Sequence, residues 1–131
     1  MNTSEIITNI AFKEFNNVKD KHEFVSLLMK NNYLMSDINF LKYCESRTDF
    51  LTFEFFAYTF IHSKIDVYDL VHNFLDIIMD NRFLREIKLL KDEYEFLNRN
   101  DYPAHPNSSI KKRNAAILRI NRFIDEIQCR L

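Results

Sequence analysis

The chain has 131 residues, a formal net charge of −1 and no glycine, where average composition would give about nine glycines. Because glycine is needed where backbone takes a positive φ or lies against a phosphate, its absence excludes the P-loop, the dinucleotide-binding fingerprint and the nucleophile elbow. Charged residues at 28% and a near-neutral balance exclude a disordered or globally basic chain. The 13 phenylalanines and 6 tyrosines predict an unusually aromatic core.

Helix signals recur along the chain, most of them a polar capping residue followed by apolar residues at spacings of three and four. In chain order, these segments begin at or just after Ser4, Asp20, Ser36, Asp49, Asp66, Arg82 and Ser109. Pro103 and Pro106 mark the one obvious loop, because neither proline suits a helix interior. We therefore predict an all-α fold, a bundle of six or seven helices that forms a single domain over residues 1–131.

The fourth segment, residues 50–61, has two interpretations. Leu51, Phe53 and Phe55 alternate with polar residues, which is typical of a strand and uses residue types that favour strands. The alternation fails at Phe56, and no second alternating run exists to pair with it. A lone strand leaves its backbone groups unsatisfied. We therefore predict a buried central helix, with a strand over 50–56 as the alternative.

The other helices carry regular apolar faces. Between Arg82 and Leu97, the inward residues are predicted to be Phe83, Leu84, Ile87, Leu90 and Tyr94. In the last helix they are predicted to be Ile110, Ile117, Ile120, Ile124, Ile127 and Leu131.

Composition also sets expectations about location and partners. No apolar stretch approaches the roughly 20 residues that span a bilayer, so we expect no membrane segment. The first five residues lack a basic region leading into an apolar run, so no signal peptide is expected. Cys44 and Cys129 match no zinc spacing and are expected to be reduced thiols, with Cys44 in the core. We predict a cytoplasmic protein.

Residue patterns that carry chemistry are missing from the sequence. The four histidines form no pair at the i, i+3 or i, i+4 spacing of a helical metal site; they are His22, His62, His72 and His105. No nucleophile stands in a recognisable catalytic setting. We therefore expect no catalytic residues, no metal and no cofactor, and we predict that the protein is not an enzyme.

Charge is unevenly distributed despite the near-neutral total. Residues 37–101 hold 13 acids and 8 bases, whereas residues 110–131 hold six bases and two acids. The predicted helix from Asp66 to Asp80 contains no lysine or arginine. Drawn as one helix, it places its four aspartates and Asn73 within an arc of roughly 80°. Those residues are Asp66, Asp69, Asn73, Asp76 and Asp80.

This aspartate stripe has a structural and a functional interpretation. It is either a solvated face, neutralised by the basic last helix, or a docking surface for a basic partner. Asp66 and Asp69 suit the positive end of the helix dipole, whereas Asp76 and Asp80 fall towards the C-terminal end, where the dipole disfavours acids. A nucleic-acid contact through Lys111–Arg113 is disfavoured by the acidic balance of the chain.

Residues 55–70, which read FFAYTFIHSKIDVYDL, resemble the helix–corner–helix of colicin D-type immunity proteins and those of contact-dependent growth-inhibition systems. The resemblance implies a small, cytosolic, helical inhibitor that covers the active site of a nuclease toxin. The stripe would then imitate the nucleic-acid backbone in a basic site, with Tyr68 as a central anchor.

The sequence therefore predicts a non-enzymatic inhibitory binding protein, an immunity protein or antitoxin whose partner is a basic nuclease toxin domain. Its predicted partner-binding residues are Asp66, Asp69, Asp76, Asp80, Asn73 and Tyr68. The alternative is a helical viral or phage antagonist of a host protein, which an exposed apolar groove would favour.

Overall fold

The computed structural model describes residues 13–15, 17–46, 53–100 and 109–131, and every regular element within these ranges is helical. A 3₁₀ helix over Asn32–Ser36 lies between the first two of the α-helices that follow. These are α1 (Lys21–Lys30), α2 (Ile38–Ser46), α3 (Phe53–His62), α4 (Val67–Asn73), α5 (Leu75–Ile78), α6 (Asn81–Arg99) and α7 (Ile110–Arg130). The predicted all-α fold is confirmed. The expectations for Ser4, Asp49 and the proline loop lie outside the described residues.

Capping side chains start most of these helices. Asp20 accepts a hydrogen bond from the backbone N–H of Glu23 at the start of α1, and Ser109 accepts one from Lys112 at the start of α7. Both caps are confirmed. The cap predicted at Ser36 is wrong, because the 3₁₀ helix ends there. Asp37 instead accepts a hydrogen bond from Asn39 at the start of α2.

The ambiguous fourth segment is helical from Phe53 to His62, so the strand alternative is wrong within that range. Phe56, Phe60 and Ile61 are buried on α3, and Thr59 between them is buried as well. A segment apolar on nearly all sides suits a central position, and α3 packs against α2, α6 and α7. Residues 50–52 lie outside the described part of the chain.

An aromatic cluster joins the central helices, as the composition predicted. The Phe60 ring lies 6.0 Å from Phe56, 5.2 Å from Phe74 and 5.6 Å from Phe83, measured between centroids. Phe83 in turn lies 5.9 Å from Phe123 on α7. Several of these pairs meet edge to face, the arrangement that aromatic quadrupoles favour. The cluster connects α3 with α6, α7 and the junction of α4 and α5.

The two longest helices, α6 and α7, pack against each other through the faces that their spacing predicted. On α6 the predicted inward residues are buried, except for Leu84, which is half-buried. On α7 the prediction is wrong at both ends, where Ile110 and Leu131 are exposed. Phe123 and Arg113 are buried on α7 instead. Apolar spacing locates a face of a helix, but it does not show how far the neighbouring helix covers that face.

The predicted single helix from Asp66 to Asp80 is wrong, because the chain leaves helical geometry at Phe74, with φ −132° and ψ 35°. Neither glycine nor proline occurs here, so tertiary packing sets the break. The Phe74 side chain is buried, packed edge to face against Phe60, and the ammonium of Lys42 lies 5.0 Å from its ring centroid. α4 and α5 are therefore separate short helices.

Candidate functional site

The break at Phe74 changes the physical setting of the aspartate stripe. Asp66 is the N-cap of α4, where it accepts a hydrogen bond from the backbone N–H of Tyr68 at 2.9 Å. Asp69 lies in the first turn of α4, and Asp76 lies in the first turn of α5. Asp80 is the N-cap of α6. Asp66, Asp69 and Asp80 thus stand at the positive ends of helix dipoles, and α5 is a single turn, too short for its dipole to disfavour Asp76. The argument that the dipole disfavours Asp76 and Asp80 is therefore wrong.

Asp80 is paired within its own chain. Its carboxylate accepts hydrogen bonds from the backbone N–H of Arg82 at 2.8 Å and from Arg82 Nη2 at 2.9 Å. The Arg82 side chain, then its backbone N–H, lowers the pKa of Asp80. The structural interpretation therefore accounts for Asp80, which sequence spacing had made one of the strongest docking candidates.

Replacing Asp80 with alanine is expected to lower the free energy of unfolding by about 1 kcal/mol, since α6 loses its N-cap. Asp80→Asn retains a capping oxygen and should cost less. Because the pKa of Asp80 is lowered in the folded state, its ionic contribution is present above the unfolded pKa of roughly 3.9 and is lost as the pH falls further. Urea denaturation at pH 7 and pH 3 measures both effects. Equal stability of the alanine variant and the parent at pH 7 would contradict the capping role.

The other three aspartates lie on the solvent side of the segment. Asp66, Asp69 and Asp76 are exposed, and within the described ranges none of them forms an ion pair. Asn73 is also exposed, and its side-chain amide donates to the carbonyl of Asp69 at 2.7 Å. Asp69 and Asn73 therefore lie one turn apart on the same side of α4. Asp76 lies beyond the break, on α5, so the single arc of roughly 80° predicted for one continuous helix is wrong. We refer to the exposed residues Asp66, Asp69, Asn73 and Asp76 together as the acidic face.

The last helix does not neutralise the acidic face through ion pairs. Among the described residues, Arg113 donates to the side chain of Asn98, and Arg130 pairs with Glu126. Arg119 donates to two backbone carbonyls, those of Phe60 and Ile65. Burial lowers the pKa of Arg119 to about 10, and the charge of Asp66 acts in the opposite direction without a direct contact. The predicted internal counterpart is therefore absent from this part of the chain.

Apolar side chains are exposed beside these carboxylates. Tyr68 on α4 is 60% exposed and Leu75 on α5 is 43% exposed. Within the described ranges, the region thus combines negative charge, an aromatic ring and an aliphatic side chain. Protein-binding surfaces combine such groups, with an aromatic side chain at the centre and charged side chains at the rim. The central aromatic side chain contributes more to the binding free energy than the charges at the rim do.

A second acidic surface lies between α3 and α6, and sequence reasoning missed it. Glu54, Glu86 and Glu93 line a cleft of about 240 Å³, and none of the described lysines and arginines lines it. Leu89, at its edge, is 55% exposed. Glu86 and Glu93 are seven residues apart on one helix, which places them on the same side and was visible in the sequence. The contribution of Glu54 from α3 was not.

The described histidines and cysteines occupy ordinary positions, and His105 lies outside the described residues. His62 shares a hydrogen bond of 2.6 Å with the Tyr94 hydroxyl, and its ring lies 4.4 Å from that of Tyr58. Burial raises the pKa of Tyr58 to about 12 and also raises that of Tyr94, so both phenols are neutral at pH 7. Cys44 is buried in the core as predicted, and burial raises the pKa of its thiol. In the described ranges, no group of three potential ligand side chains is arranged for a metal ion.

The fold and this surface define an all-α helical bundle with exposed acidic faces. No protein-family model matches the chain, and no curated protein or solved structure is significantly similar to it. Among the described helices, none has the length and apolar character needed to cross a membrane. The likeness of residues 55–70 to immunity proteins therefore stays a prediction.

Proposed function

We propose that this chain is a non-enzymatic inhibitor that binds a basic protein partner through the acidic face. One observation carries the proposal: Asp66, Asp69 and Asp76 are exposed and form no ion pair within the described ranges, beside the exposed ring of Tyr68. Asp80 adds negative charge nearby, but its carboxylate is already held by Arg82. Within the described ranges, the carboxylates of Asp69 and Asp76 are available to a partner, while one oxygen of Asp66 caps α4.

The chemistry of this surface suits an electropositive partner. Carboxylates on one side of a protein accelerate the encounter with a basic surface and disfavour acidic competitors. Tyr68 supplies apolar area and a hydroxyl at low entropic cost, the combination found at binding hot spots. A nuclease site is basic because it binds phosphate, so an acidic inhibitor can occupy it in place of the nucleic acid.

We propose the immunity protein of a nuclease toxin as the specific form of this inhibitor. The span that resembles immunity proteins folds as α3 and α4 joined at a corner, which is the arrangement that the resemblance implies. At that corner, Ser63 donates its hydroxyl to the carbonyl of Met35 and accepts a hydrogen bond from the backbone N–H of Ile65. The corner therefore sets the direction in which α4 presents its exposed side.

The test uses the toxin domain of the effector encoded directly beside this gene, with nuclease activity as the readout. The parent chain is expected to inhibit at a one-to-one ratio. The double variant Asp69→Lys, Asp76→Lys should raise the dissociation constant at least roughly tenfold, because two attractive contacts become repulsive. The neutral pair Asp69→Asn, Asp76→Asn should show a smaller increase.

A double variant with the same change in net charge provides the matched control. Asp92→Lys, Asp125→Lys alters two exposed carboxylates on α6 and α7 that are not members of the acidic face. This control should bind the toxin with nearly parental affinity, and circular dichroism verifies that all variants remain helical. An equal loss of toxin affinity in the control and in the acidic-face variant would overturn the assignment of the binding surface. An adjacent effector that the parent chain fails to inhibit, or the absence of any adjacent effector, would contradict the immunity role.

A further inference from the structure

A cleft with the opposite charge lies beside the corner between α3 and α4. It has a volume of about 420 Å³ and is bounded by the end of α1, the 3₁₀ helix, the corner after α3 and the first turns of α7. Lys64, Lys112 and Arg119 line it, and none of the described aspartates and glutamates does. We refer to these three residues as the cationic cluster. None of them belongs to the acidic face.

The walls of the cleft combine apolar and neutral polar groups. The polar lining consists of Asn32, Tyr58, His62 and Ser63. The apolar lining consists of Leu28, Met29, Met35, Ile61, Ala115 and Ala116. Small-molecule sites typically occupy roughly 300–1,000 Å³ and place a few polar groups on a mainly apolar wall. This cleft has the size and the lining of such a site.

Arg119 is held in a fixed position at the cleft. Its Nε donates to the carbonyl of Phe60 at 3.0 Å, and its Nη2 donates to the carbonyl of Ile65 at 2.6 Å. The guanidinium also lies 5.5 Å from the ring centroid of Phe123. Because neutral carbonyls hold two of its nitrogens, Arg119 keeps its full positive charge beside the cleft.

Among the described residues, the cationic cluster has no counter-charge in direct contact. Within the described ranges, none of Lys64, Lys112 and Arg119 forms an ion pair. Lys112 also lies in the first turn of α7, where a cation opposes the helix dipole. Three cations that converge on one cleft repel each other, and a bound anion would remove that repulsion.

We propose that the cleft binds a small organic phosphate, with the phosphate among the cationic cluster and an apolar body against the methionine and alanine side chains. A dianionic phosphate suits three cations better than a single carboxylate does, because more of the positive charge is matched. Its several oxygens can accept from Arg119 and from both lysines at once. This inference is independent of the proposed function.

The experiment is an NMR titration of the folded chain with phenyl phosphate as the probe, alongside inorganic phosphate and neutral phenol. Phenyl phosphate is expected to shift the amide resonances of Lys64, Ala115 and Ala116 in a saturable manner. It should bind more tightly than inorganic phosphate or phenol. Lys64→Gln or Lys112→Gln should each weaken binding by about two- to fivefold, the loss expected for one part-exposed ion pair. Raising the ionic strength should weaken binding further.

Lys111→Gln is the matched control, since Lys111 is an exposed lysine next to Lys112 that does not line the cleft. It should leave the phenyl phosphate affinity within experimental error of the parent. The absence of saturable shifts, or equal weakening by Lys111→Gln and Lys112→Gln, would overturn the proposal. Tighter binding of a short oligonucleotide than of phenyl phosphate, with the same dependence on Lys64 and Lys112, would also overturn it in favour of a nucleic-acid site.

Discussion

Replacing Phe60 with alanine is expected to lower the free energy of unfolding by about 4 kcal/mol, within the range for truncating a buried phenylalanine and leaving a cavity. Phe60 has no exposed surface, and its ring contacts Phe56, Phe74 and Phe83. Phe56 shares α3 with Phe60, whereas Phe74 lies at the junction of α4 and α5 and Phe83 lies on α6. The surrounding structure therefore cannot collapse around the gap without moving several elements. Urea denaturation followed by circular dichroism measures the loss.

An exposed phenylalanine on α6 provides the control for this prediction. Phe96 is 48% exposed, and Phe96→Ala should change the free energy of unfolding by much less than Phe60→Ala does. Phe60→Leu should lie between the alanine variant and the parent, because leucine fills part of the cavity. Similar losses at Phe60 and Phe96 would contradict a central role for the aromatic cluster.

Arg119→Met is expected to lower the free energy of unfolding by about 3 kcal/mol, because two hydrogen bonds from a charged donor are lost. These bonds join α7 to the carbonyls of Phe60 and Ile65, on either side of the corner between α3 and α4. Methionine preserves most of the side-chain volume, so the effect reports on the hydrogen bonds. The measurement is again urea denaturation at neutral pH.

Arg122→Met on the same helix is the matched control, since Arg122 is exposed and should contribute little. Arg119→Lys keeps the charge but cannot reach both carbonyls with the planar geometry of a guanidinium, so it should recover only part of the loss. Full recovery by lysine would show that charge alone matters at this position and would refute the bridging role.

Local signals in the sequence predicted much of the fold. Asp20 and Ser109 were recognisable caps because each precedes a regular apolar spacing, and both cap helices in the structure. α6 was predicted almost to its ends because its face repeats without interruption over 19 residues. The choice of a helix over a strand for α3 rested on the missing partner strand, which is also a property of the sequence.

The break at Phe74 could not be predicted in this way. A continuous helix and two short helices share the same apolar spacing, and no glycine or proline marks the junction. The deciding contact joins Phe74 to Phe60, which lies on another helix. This single difference moves Asp76 and Asp80 from the end of one helix to the beginnings of two others.

The surfaces were only partly accessible from sequence. The composition of residues 66–80 identified the acidic face because its members lie close together in the chain. The cationic cluster was not identified, because Lys64 and Arg119 are far apart in sequence and meet only when α7 packs beside the corner. Charges brought together by long-range packing leave no local pattern.

The corner between α3 and α4 is fixed from two sides. The carbonyl of Met35 accepts hydrogen bonds from the Ser63 hydroxyl and the Lys64 backbone N–H, while Arg119 holds the carbonyls of Phe60 and Ile65. A molecule that binds the exposed side of α4 therefore contacts a short helix whose orientation is already fixed. Because this helix loses little conformational entropy on association, a modest contact area can give a favourable binding free energy.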